Sequence, residues 1–149
     1  MHVYRLCKAK YPPLDDYGAY LYGGRWNSPG RAVIYAAASR ALAALEFLTG
    51  VERHTALGPL QMVAIEVPNG KINSLKQDEI PKNWRTYPAG YSTKMLGDLW
   101  IQKAESLCLT VPSVIIPEEY NVLINPQHAD FKNVKIVDSK SFEYDSRLF

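Results

Sequence analysis

Residues 32–50 read "AVIYAAASRALAALEFLTG", and the hydrophobic period changes inside that stretch. The first part, "AVIYAA", has the β-branched and aromatic content of a buried strand. From Ser39 onward the spacing becomes helical. Ser39 can cap the N-terminus of a helix and Gly50 can end it. The helix "RALAALEFLT" is apolar nearly all round, which implies burial. It carries one carboxylate, Glu46, one turn beyond Leu42 and on the side of Leu45 and Thr49. An unpaired charge in such a place is costly, so Glu46 needs a partner. Two readings stand: an exposed carboxylate at the helix edge, or one aimed into a cleft.

Immediately upstream lies "GGRWNSPGR" (residues 23–31). Three glycines and a proline make a tight turn, and two arginines and a tryptophan sit within it. The backbone of such a loop can approach a ligand closely, and Arg25 offers a planar fork suited to phosphate. The stretch matches neither G-x-x-x-x-G-K nor G-x-G-x-x-G. A surface hairpin with Trp26 tucked beneath it is the competing reading. Arg31 reads as a solvated turn residue. Tyr35 ends the strand after the loop, eleven residues before Glu46, which can bring both to one end of a sheet.

Working outward, "VYRL" (3–6) reads as a strand with a charge, Arg5, inside it. Arg5 can pair with Glu46, meet a ligand or face solvent. "YPPLDDYGAYLYGG" (11–24) is turn-rich. "LQMVAIEVP" (60–68), "LCLTVPSVIIP" (107–117), "YNVLINP" (120–126) and "NVKIVDSKSFEYD" (133–145) read as strands, and "KINSL" (71–75) as a short extended piece. "IPKNWRTYPAGYS" is a loop with one helical turn after Pro81. "STKMLGDLWIQKAESL" has helical spacing at Met95, Leu96, Leu99, Trp100 and Ala104, against the entropy cost of Gly97. "NPQHADF" reads as a helical turn capped by Asn125, with His128 capping or packing around it. Six or seven short strands and two substantial helices without regular alternation indicate an α+β fold.

Composition narrows the class. The chain has 149 residues, enough for one domain with its own core. Seventeen basic and fifteen acidic residues leave a net charge of +2, too little to indicate nucleic-acid binding. Two distant cysteines, Cys7 and Cys108, read as buried thiols of a reduced, cytoplasmic protein. No run reaches the roughly 18 apolar residues of a membrane span, and the start lacks a signal-peptide stretch. His2, His54 and His128 have no metal-ligand spacing. Ser113, polar inside "VPSVIIP", has no G-x-S-x-G around it. Such a serine usually satisfies local backbone.

Taken together, "YR" (4–5), "GGRWN" (23–27), the Tyr35 and Glu46 pair, "GDLWI" (97–101), "VPSVIIP" (111–117), "YNVLINPQHADF" (120–131) and "FEYDSRLF" (142–149) resemble, in order, the blocks of the RES domain. That domain is named for an Arg, a Glu and a Ser. The resemblance spans nearly the whole chain, residues 1–149 as a single RES domain. It implies a compact fold like that of ADP-ribosyltransferase toxins, with short mixed β-sheets, a few helices and a cleft for NAD. It implies a toxin of a toxin–antitoxin pair that cleaves the nicotinamide–ribose bond of NAD and arrests growth, with no metal. ADP-ribosyl transfer to a protein and transfer to phosphate are the enzymatic alternatives. An inactive domain that only binds antitoxin is the third. The implied partner is an Xre-type antitoxin that covers the cleft and carries any DNA binding; homodimerisation within that complex is left open.

The residues to which the resemblance assigns catalysis are Glu46, Arg25, Tyr35 and Arg5. It assigns NAD contacts to Arg5, Arg25, Tyr35, Ser113 and Asn27. Glu46 would stabilise positive charge on the ribose. Arg25 and Arg5 would hold pyrophosphate or ribose, Tyr35 would stack on nicotinamide or orient ribose, and Ser113 would bond the cofactor or Glu46. Trp26 would brace the loop.

Overall fold

A computed structural model describes residues 1–51, 56–70 and 72–148. His54 lies outside the described residues. Seven strands form one sheet in the order β4-β5-β6-β2-β1-β3-β7. They are β1 (His2–Lys8), β2 (Ile34–Ala37), β3 (Leu60–Glu66), β4 (Ile72–Ser74), β5 (Cys108–Pro112), β6 (Tyr120–Ile124) and β7 (Lys135–Phe142). The β4–β5 pair is parallel and the others are antiparallel, so the sheet is mixed. Its two halves meet between β2 and β1 at a single registered pair, Tyr4 with Ala37. The α+β reading and its mixed strands hold, in one seven-stranded sheet.

Among the described residues, three α-helices accompany the sheet: α1 (Tyr17–Tyr22), α2 (Arg40–Thr49) and α3 (Tyr91–Lys103). The α2 helix has the caps read from the sequence. The Ser39 hydroxyl accepts from the Leu42 amide at 3.1 Å, and Gly50 ends the helix. The turn-rich reading of residues 11–24 missed α1. This six-residue helix is too short to show a period, and it is held from outside: Asn27 donates to the Ala19 carbonyl and the Gly30 amide to that of Tyr20.

Strand alternation sorts the core. Val3, Cys7, Ile34, Ala36, Val122 and Ile124 point to one face. On the other face, α2 covers Leu6, Ala37, Leu60 and Met62, while the cluster of α3 contains Leu109, Val111, Leu123, Trp26, Trp84 and Trp100. The two helices thus share one face of the sheet, α2 over β1 and β3, α3 over β5 and β6.

The buried side of α3 differs from the apolar spacing read in the sequence. Met95 and Leu99 are exposed, whereas Thr93, Gly97, Trp100 and Ile101 are buried. The turn after Pro81 is present, closed by the Trp84 amide on the Pro81 carbonyl at 3.1 Å. The cap expected from Asn125 is moved. Asn125 accepts from the Gln127 amide, and it is His128 Nδ1 that accepts from Asp130 and opens the 3₁₀ turn Ala129–Asn133.

Cys7 and Cys108 are buried and free, on strands separated by β6 and β2. Burial pushes the Cys108 thiol up to about 12. An unfolded thiol ionises near pH ~8.5, so the unfolded chain holds fewer protons than the native one above that pH. Stability is therefore complete below about pH 8.5 and is lost as pH rises toward 12. Urea unfolding should give a lower free energy at pH 10 than at pH 7.5, and native protein should react slowly with Ellman's reagent. Equal stability at the two pH values and fast thiol reaction would contradict the burial argument.

Candidate active site

The candidate site is built around Glu46 of α2 and Arg25 of the loop before β2, whose charges act on each other. From α2 comes Glu46, half-buried. Ser113 Oγ donates to Glu46 Oε1 at 2.7 Å, and Asn121 Nδ2 donates to the same oxygen at 2.7 Å. Oε2 takes no hydrogen bond or ion pair among the described residues. The Ser113 hydroxyl itself accepts the amides of Ile115 and Ile116 at 3.1 and 3.2 Å. With both acceptor positions filled, its one proton is directed at Glu46.

Ser113 is fully buried. Its hydroxyl reaches Glu46, one of the two contacts expected of it. The sequence carried the signal in its period: Leu109, Val111 and Ser113 alternate toward the same side. The same alternation places Asn121 beside Leu123 on the α2–α3 face. Asn121 was not singled out from the sequence, and a polar residue at an inward position of "YNVLI" was the sign of it.

Arg25 enters from the opposite wall. Its Nη1 donates to the carbonyls of Trp84 and Thr86, both at 2.8 Å. Two carbonyls fix the guanidinium through Nη1. Burial lowers the Arg25 guanidinium from its ordinary value, and the charge of Glu46 opposes that fall. A cation and a carboxylate therefore share the cleft without a direct salt bridge.

The loop that carries Arg25 is held from three sides. Gly23 has φ 72°, a left-handed conformation that suits glycine. A Cβ on Gly24 would lie 2.7 Å from the Tyr35 hydroxyl. On the α3 side, Asp98 accepts from the Ser28 amide at 2.9 Å and its hydroxyl at 2.6 Å, and Lys94 donates to the Gly24 carbonyl. Trp26 is 3% exposed among the core tryptophans, so it braces the loop.

Tyr35 and Asn27 are occupied inside this loop. The Tyr35 hydroxyl donates to Asn27 Oδ1 at 2.6 Å and accepts the Trp26 amide at 3.1 Å. Burial pushes that phenol well above its usual range. Asn27 is 0% exposed, and its amide donates to the carbonyls of Ala19, Ser28 and Arg31. Every polar atom of the Asn27 side chain is thus engaged within the loop. Arg31 is exposed, as its turn position suggested.

Arg5 does not join Glu46. Strand alternation puts Arg5 with Val3 and Cys7, on the face away from α2. The charges that act on it are those of Cys7, Asp15 and Asp16, and burial lowers its guanidinium from the ordinary value. Its Nη1 is buried without a hydrogen-bond partner. The pairing of Arg5 with Glu46 is therefore corrected: Arg5 shares the face of Val3 and Cys7, and α2 packs on the other face.

Among the described residues, no group of three or more His, Cys, Asp or Glu is placed to hold a metal ion. None of the helices there is long and apolar enough to cross a membrane.

The seven-stranded mixed sheet with α2 and α3 on one face is a fold found in a known structure. A chain of the M. tuberculosis MbcT–MbcA toxin–antitoxin complex has this fold, with a TM-score of 0.76 and 17% identity over 95% of the present chain and 83% of that one. The RES domain family matches residues 2–145, and the chain belongs to it. It is 38% identical over 151 residues to "Toxin Res" of Yersinia enterocolitica, covering 99% of both chains. It is 42% identical over 140 residues to "Prs ADP-ribosylating toxin" of a Sphingobium species, covering 91% of this chain and 86% of that one. "Toxin Res" of Pseudomonas putida is 33% identical over 141 residues.

Proposed function

We propose that this toxin cleaves the nicotinamide–ribose bond of NAD with water as acceptor, and that NAD loss arrests growth. The observation that carries this reading is the half-anchored carboxylate of Glu46, with Oε1 saturated and Oε2 open, facing the pinned Arg25. As the glycosidic bond lengthens, nicotinamide departs neutral with the bonding electron pair and the ribose becomes oxocarbenium-like. Glu46 Oε2 stabilises that charge and accepts a hydrogen bond from a ribose hydroxyl or from the attacking water. Water adds to the anomeric carbon and releases one proton, which gives ADP-ribose, nicotinamide and H⁺. The free edge of Arg25 holds the pyrophosphate or its neighbouring ribose.

The name of the Sphingobium relative favours a second reading, in which the acceptor is a protein side chain. The same carboxylate and arginine serve both, because the acceptor enters only after the leaving group has gone. An antitoxin of Xre type that covers the cleft is the proposed partner. Support comes from the fold shared with a chain of a toxin–antitoxin complex. The toxin would act in the cytoplasm, where NAD and that partner occur.

The test is expression in a bacterial host with intracellular NAD followed over time. Wild type should lower NAD before growth stops. Arg25→Lys should lower NAD cleavage about 10–100-fold, because an ammonium cannot bridge two carbonyls and still offer a second edge. That corresponds to the loss of about 1.5–3 kcal/mol expected for a charged hydrogen bond. Growth arrest with NAD unchanged would overturn the reading in favour of protein modification.

A further inference from the structure

We infer that Asn121 is a positioning residue: together with Ser113 it anchors Glu46 Oε1 and so makes Oε2 the reacting oxygen. The inference rests on the NAD-cleavage reading for its chemistry and on hydrogen-bond geometry for its placement.

A carboxylate oxygen has two lone pairs, and Oε1 receives two donors, each at 2.7 Å. Oε1 is therefore saturated, while Oε2 keeps both lone pairs. Either donor alone would leave the carboxylate free to turn about its Cγ–Cδ bond and exchange the two oxygens. Two donors, one just past the end of β5 and one on β6, fix its plane. Asn121 is itself fixed, registered between Ala37 of β2 and Val111 of β5.

The other end of the side chain supports the same role. Asn121 Oδ1 is buried and has no hydrogen-bond partner. A buried acceptor without a partner carries an uncompensated desolvation cost. An apolar residue of similar volume at this inward strand position would avoid it. The asparagine therefore does not serve packing, and what it supplies is the amide donor to Glu46. The cost is accepted where an apolar residue would leave Oε1 with a single donor.

The test uses the purified full chain and NAD, with nicotinamide release measured over a range of substrate and pH. Asn121→Ala should lower kcat about 10–100-fold, a magnitude typical of groups that orient a reacting residue from behind. KM should stay within about twofold, since the binding groups are untouched. Asn121→Asp keeps the volume but replaces the donor by an acceptor at neutral pH. Its kcat at pH 7.5 should fall at least as far as that of Asn121→Ala. On acidification its activity relative to wild type should rise, because the introduced carboxyl regains an O–H donor. A purely structural role predicts the reverse order, with the isosteric variant the more active. That order, or wild-type kcat in either variant, would overturn the proposal. A crystal structure of Asn121→Ala separates this failure from failure of the NAD reading. The Glu46 carboxylate should be rotated or spread over two positions there. A carboxylate unmoved on Ser113 would overturn the positioning role whatever substrate the toxin uses.

Discussion

Glu46→Gln should reduce nicotinamide release by about 10²–10³-fold, the usual cost of removing one electrostatic group from a developing charge. The substitution is nearly isosteric. The side-chain amide oxygen can still accept from Ser113 and Asn121, so the anchoring bonds at 2.7 Å survive. What changes is the other atom: Oε2 becomes an NH₂ group, which carries no negative charge and donates where an acceptor is needed. Melting should move by no more than a few degrees, since the site lies at a half-buried position. Growth arrest should disappear with the activity. A folded Glu46→Gln protein that arrests growth as wild type does would contradict the role given to the carboxylate.

Gly97→Ala should damage both stability and activity, although alanine is the better helix former by about 1 kcal/mol. A Cβ at this position would lie 1.6 Å from the Trp26 carbonyl oxygen and 2.6 Å from its carbon. Both atoms are backbone, so no side chain can swing aside. Either α3 moves outward or the loop that carries Arg25 does. Overpacking of this kind costs about 1–3 kcal/mol and sometimes more, enough to lower the melting midpoint by about 2–12 °C in a domain of this size. A displacement near 1 Å of the neighbouring Arg25 should cost about 10²-fold in rate. A raised melting point would show that propensity alone acts at this position.

The helix α2 was legible because its signals are local: a serine that caps, a glycine that stops and a period of 3.6 between them. Its carboxylate was legible for the same reason, since an acid on an apolar helix demands a partner. The identity of that partner was not, because Ser113 and Asn121 lie 67 and 75 residues away and meet Glu46 only through the sheet. Strand parity would have aimed both at the correct face. Parity would also have turned Arg5 to the opposite face. Gly97 looked like a flaw in a helix because its reason, the Trp26 backbone, is distant in sequence. Met95 and Leu99 fit a helical period yet are exposed, since that period marks a face without saying which face meets the sheet. Asn27 in the loop and Tyr35 on the strand after it were read as ligand contacts, and what the sequence could not display is their hydrogen bonding to each other and of Asn27 to α1.

Nicotinamide released from NAD by the purified toxin, followed by chromatography alongside Glu46→Gln, bears on the central assignment most directly. Wild type should release nicotinamide and ADP-ribose in equal amounts, without phosphate or any protein acceptor, and the variant should be about 10²–10³-fold slower. No release by folded wild type with water, phosphate or added protein, or equal rates for the two proteins, would contradict it.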